Sequence, residues 1–118
     1  KRLAYYGLSW GGAMGAIMPA VEPRLTCNVL YVAGLEFQHA LPEVDQINFV
    51  SRVRQPTLML NGEFDFFFPV ETSQKPMFQL LGCAEGDKRY VVYPGAHTLP
   101  RSEFTTEFLA WLDKYLVN

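Results

Sequence analysis

The sequence predicts an α/β domain of about four parallel strands with flanking helices, one domain spanning residues 1–118. Three observations carry this. Apolar strand-like runs alternate with helical patterns four times, the signature of strand–crossover–strand units in a parallel sheet. The run Cys27–Ala33 is apolar on both faces, as in a strand covered from each side. The first run, Leu3–Gly7, feeds directly into a glycine-rich turn that opens a helical pattern.

Along the chain, Leu3–Gly7 is the first strand, and the Ala-, Met- and Ile-rich stretch from Trp10 to about Ala20 a buried helix. Pro19 falls in its last turn, where a missing N–H does least harm. Cys27–Ala33 is the second strand. Residues 41–54 read as one helix or two short ones. Pro56–Leu60 is a third strand ended by Asn61-Gly62. Pro69 then starts a helix at the position proline favours, Gly82 closes it, and Pro76 kinks it near its middle. Arg89–Tyr93 is a fourth, buried strand stopped by Pro94-Gly95. In the last helix Ser102 is positioned to cap the N-terminus. Phe104, Phe108, Leu112 and Tyr115 form one apolar stripe, with Trp111 and Leu116 on its margins.

Composition narrows the function classes. The chain is 49% hydrophobic and 19% charged with a formal net charge of −2, and it has no basic run for a nucleic acid. No apolar run is long enough to cross a bilayer. Cys27 and Cys83 have neither metal-ligand nor redox spacing, and read as buried thiols in a reducing, cytoplasmic compartment. The first residue is Lys1 rather than Met, so any address carried upstream is not legible. No metal or other cofactor is expected.

Three loop positions carry chemistry, each just after a strand, where open parallel sheets place their ligands. Ser9 sits in Gly7-Leu8-Ser9-Trp10-Gly11. A serine on a tight strand-to-helix turn has strained backbone angles and projects its Oγ above the sheet. Residues two before and two after must then be small. The helix start aims N–H groups, that of Trp10 among them, at a developing oxyanion. Asp65 follows the third strand and His97 the fourth, in Pro94-Gly95-Ala96-His97. Taken singly, Ser9 also fits a plain glycine-rich turn, Asp65 a turn-forming carboxylate and His97 a structural imidazole. Glu63 and Asp45 are competing acids. Together, the chain order Ser, Asp, His matches that of one hydrolase architecture. His97 would accept the proton of Ser9, and Asp65 would hold the imidazole.

These segments resemble the C-terminal half of an α/β-hydrolase, and the resemblance covers essentially the whole chain. The doubled Gly11-Gly12, Leu60-Asn61-Gly62 followed by Asp65, and Pro94-Gly95 followed by His97 are similar to one branch in particular. That branch holds dienelactone hydrolases, acetyl-xylan-type esterases and prolyl-oligopeptidase-like peptidases. The resemblance implies a truncated α/β-hydrolase fold beginning on the strand before the serine, with the N-terminal half of the sheet absent. It implies an exposed first strand that recruits a second copy or a complementing chain. It also implies that the second oxyanion donor lies in a loop outside these residues.

The activity implied is ester cleavage of a small-molecule substrate through catalytic Ser9, Asp65 and His97, with Trp10 in the oxyanion hole. Trp10, Phe66 and Phe67 are expected to bind substrate, although three aromatics in a row at 66–68 also suit packing. A serine peptidase and a non-catalytic assembly module are the alternatives. His39, in Glu36-Phe37-Gln38-His39, reads as an ordinary loop histidine, and Tyr5 and Tyr6 as packing residues.

Overall fold

The computed structural model describes residues 1–36 and 38–117. Four strands, β1 (Leu3–Leu8), β2 (Leu25–Tyr31), β3 (Thr57–Gly62) and β4 (Lys88–Tyr93), form one parallel sheet in that order. α1 (Trp10–Ala13), α2 (Met18–Val21), α3 (Lys75–Leu80) and α4 (Arg101–Leu112) are the helices. Among the described residues β1 pairs only with β2, so its outer edge is open.

Alternation along the central strands divides the core in two. On one face Leu30 and Met59 pack with Ala16, Val50, Val53, Met77 and Leu81. On the other, Cys27, Val29, Tyr31, Leu58 and Leu60 meet α4 through Trp111, Phe104 and Phe108. The two inner strands are covered from both sides, and β3 is buried along its whole length. Both cysteines are free and buried, and burial pushes their thiols above the ordinary range.

Several elements differ from the sequence expectation, each for a local reason. The helix expected over residues 10–20 is broken into α1, a 3-10 turn at Met14–Ala16, and α2. Gly11, Gly12 and Gly15 are poor helix formers, and Pro19 cannot donate to the carbonyl four residues back. Residues 41–54 hold two 3-10 turns, Gln46–Asn48 and Val50–Arg52. Pro69 caps rather than enters the next helix, which opens as a π turn at Val70–Gln74 and continues as α3 from Lys75, with Pro76 in its first turn. Gly82 lies two residues beyond α3 with a negative φ, and is needed for space: a Cβ there would stand 2.0 Å from Ser51 O.

β4 is an edge strand with only Tyr93 buried. Ser102 does not cap α4, whose N-cap is Pro100. Trp111, expected at the margin of the stripe, is the buried residue of α4. No helix among the described residues is long and apolar enough to cross a membrane.

Candidate active site

Strand ends and the loops that leave them build the site. Ser9 joins β1 to α1 with φ 57° and ψ −113°, a conformation most side chains avoid. Its N–H donates to Tyr31 O at 2.9 Å and its C=O accepts from Ala13 N at 2.9 Å, so both sides of the strained residue are tied down. Gly7 permits the turn, because a Cβ there would lie 2.1 Å from Gly11 O. Gly12 permits the approach of α1 to the sheet, since its Cβ would meet Ala33 Cβ at 2.7 Å. The crowding expected at Gly11 is not found: a Cβ there would meet nothing within 4 Å. As the first residue of a helix, Trp10 has an N–H without an intrahelical acceptor. α1 is only four residues long, too short for a large helix dipole, so what it offers at this end is that local N–H.

The acid and imidazole loops are bound to each other. Beyond the last rungs of β3 and β4, Glu63 N donates to Tyr93 O and Phe64 N to Gly95 O, both at 2.9 Å. Gly62 allows this, because a Cβ would stand 1.9 Å from Ala96 O. Asp65 has a fully buried side chain, and His97 keeps 24% of its side chain exposed. Asp65 Oδ1 accepts from the N–H groups of Phe67 (2.9 Å) and Phe68 (3.1 Å). Its Oδ2 faces His97 Nδ1 at 2.7 Å. His97 Nε2 lies 2.7 Å from Ser9 Oγ. With a carboxylate at Nδ1, the partners assign the proton to Nδ1 and leave Nε2 to accept from the hydroxyl.

The structure thus brings Ser9, His97 and Asp65 together in one chain of contacts. Glu63 is exposed. Asp45 instead caps the Gln46–Asn48 turn, accepting from Ile47 N and Ala40 N. Of the three successive phenylalanines, Phe68 is buried, and Phe67 packs at a tilt against His97 with centroids 4.8 Å apart. Phe66, 73% exposed, leans on Phe67 at 4.2 Å. Trp10, 66% exposed, borders a different space, a cleft with His39 in its wall. Tyr5 does more than pack, since its hydroxyl donates to Gly11 O at 2.6 Å. Among the described residues no group of His, Cys, Asp and Glu is arranged to hold a metal ion.

Three supporting residues escape sequence reasoning. Tyr31 holds Ser9 through its carbonyl, and its phenol accepts from Leu99 N at 3.0 Å, two residues past His97. Gln74, fully buried, donates to Gly62 O (2.9 Å) and Phe68 O (2.7 Å), clamping both ends of the loop that carries Asp65. Asn61 Nδ2 donates to Ala33 O at 2.7 Å, joining β3 to the loop after β2. Tyr31 lies within a strand and Gln74 within a helical pattern, so neither carried a local signal; Asn61 was singled out only as part of the Leu60-Asn61-Gly62 segment, and its tie to Ala33 was not legible.

The sequence matches no family model and none of the curated proteins. Solved structures do match. A cold-adapted esterase from an Arctic intertidal metagenomic library is 26% identical, with a TM-score of 0.78 over 94% of this chain and 48% of its own. A candidate dienelactone hydrolase from Klebsiella pneumoniae is 25% identical, with a TM-score of 0.79 over 96% of this chain and 52% of its own. An esterase from Pyrococcus furiosus, at 15% identity and a TM-score of 0.78, shares the fold over 98% of this chain and 54% of its own. The chain therefore spans about half the length of the solved structures it matches.

Proposed function

Because the chain belongs to the α/β-hydrolase superfamily, we propose that it is a serine hydrolase cleaving carboxylic esters. The observation that carries this reading is the unbroken relay Ser9 Oγ–His97 Nε2 and His97 Nδ1–Asp65 Oδ2, both contacts at 2.7 Å. In the reaction, Ser9 Oγ attacks the acyl carbon as His97 Nε2 takes its proton. The resulting oxyanion accepts from the N–H of Trp10. The imidazolium, held by buried Asp65, returns the proton to the leaving alkoxide, releasing the alcohol and an acyl-Ser9 ester. Water then attacks that ester with His97 as base, and the carboxylic acid departs. Esters are preferred to peptides here because matched structures with at least 25% identity include an esterase and a candidate dienelactone hydrolase.

Removing one oxyanion donor from such a site lowers turnover by about 10²–10³. Nucleophile activation is therefore tested by labelling before turnover. A fluorophosphonate probe is expected to label the protein at Ser9 and not to label Ser9→Ala; an unlabelled, folded wild type overturns the reading. p-Nitrophenyl butyrate is expected to be hydrolysed in preference to a peptide p-nitroanilide, and the reverse order would make the protein a peptidase.

A further inference from the structure

Trp10, the residue after Ser9, opens onto a cleft of about 380 Å³. Trp10, Met14 and Ile17, from the segment after Ser9, and His39, Val44 and Gln46, from the segment after β2, line it. Its volume falls in the range of small-molecule sites, and a mostly apolar wall with a few polar groups is their usual make-up. The lining segment after β2 is braced by its own hydrogen bonds. Asp45 accepts from Ala40 N and Ile47 N, and Asn48 Nδ2 donates to Pro42 O at 2.9 Å.

The chemistry of the relay decides which half of an ester belongs there. The leaving oxygen must receive its proton from His97 Nε2, so the alcohol portion lies on the side of His97, where the Phe67 ring packs at a tilt against the imidazole. The cleft contains no residue of the loops bearing His97 or Asp65. It begins instead at Trp10, whose N–H faces the oxyanion in the proposed reaction. We propose that this cleft is an acyl-binding subsite and that it takes an apolar acyl chain. The assignment of the acyl half rests on the serine-hydrolase reading above.

The test pairs binding with turnover, so that the two readings can fail separately. Binding uses unbranched alkyl amides from butanamide to hexanamide, followed by titration calorimetry on the wild-type protein. Affinity is expected to rise two- to fourfold per added methylene, about the value for burying that group. Val44→Glu should abolish this dependence; Val44 is 57% exposed, so the variant loses little packing. Ala40→Phe, at another exposed wall position, fills the cleft and should give the same loss should Val44→Glu not fold.

In turnover, the hexanoate-to-acetate ratio of kcat/KM for p-nitrophenyl esters should fall at least tenfold in Val44→Glu. Acetate esters of lengthening alcohols should not respond. Affinity independent of chain length, or a response to the alcohol series instead, overturns the subsite. Chain-length-dependent binding lost in Val44→Glu, with no ester hydrolysed, upholds the cleft as an apolar-chain site and overturns only the catalytic reading.

Discussion

The phenolic oxygen of Tyr31 accepts the backbone N–H of Leu99 at 3.0 Å, while the carbonyl of the same residue accepts the N–H of Ser9 at 2.9 Å. One residue on β2 therefore fastens both the serine turn and the loop carrying His97. Tyr31→Phe keeps the carbonyl, the ring and its edge contact with Phe104, and removes only the hydroxyl. Kinetics should show kcat falling severalfold with KM nearly unchanged. Urea unfolding should show a loss of about 1 kcal/mol, the usual net worth of one hydrogen bond. An unchanged kcat would make Tyr31 a purely structural residue.

Asp65 uses both carboxylate oxygens, one on two backbone N–H groups and one on His97. In Asp65→Asn the amide can accept from the backbone through its oxygen only by presenting an NH2 group to Nδ1. That forces the imidazole proton onto Nε2, where it can no longer accept from Ser9. Fluorophosphonate labelling should slow by about 10⁴, the order seen when a triad aspartate is so replaced, with the fold retained by circular dichroism.

The glycines around the site divide by the space available to them. Gly62→Ala would bring a Cβ to 1.9 Å from Ala96 O and displace the backbone next to His97. Gly7→Ala would bring one to 2.1 Å from Gly11 O. Both should lower the urea midpoint and suppress labelling. Gly11→Ala meets nothing within 4 Å, at a residue whose φ is not positive, and its thermal midpoint should equal or exceed that of the wild type.

Burial, with a smaller contribution from the charge of Glu71, pushes the Tyr90 phenol up to about 12, and its hydroxyl donates to Gln74 Oε1 at 2.6 Å. A folded-state value above the unfolded one means that the native protein holds the proton more tightly. This contribution to stability is therefore full below about pH 10, the ordinary tyrosine value, and is lost as pH rises through 12. Urea midpoints measured between pH 9 and 11.5 should fall more steeply in the wild type than in Tyr90→Phe. Equal slopes would refute the assignment.

By itself the sequence determined the order of strands and helices and singled out the strand-end residues Ser9, Asp65 and His97 that the fold brings together. Those features are local. Apolar runs flagged β2 and β3, and glycine and proline marked the turns after Leu8, Gly62 and Tyr93. Even locally, the helix after Ser9 came out shorter, because three glycines and Pro19 outweighed its apolar pattern.

The tertiary structure alone decided that Gly12 rather than Gly11 is the crowded glycine after the serine, and that Trp111 is buried. It alone decided that Tyr31 and Gln74 hold the site loops, and that Trp10 and Val44 face one cleft. Apart from Gln74, which reaches back only 6 and 12 residues, each of these depends on contacts between segments tens of residues apart. Such contacts are set by how helices seat on a twisted sheet, and no short stretch of sequence encodes that geometry.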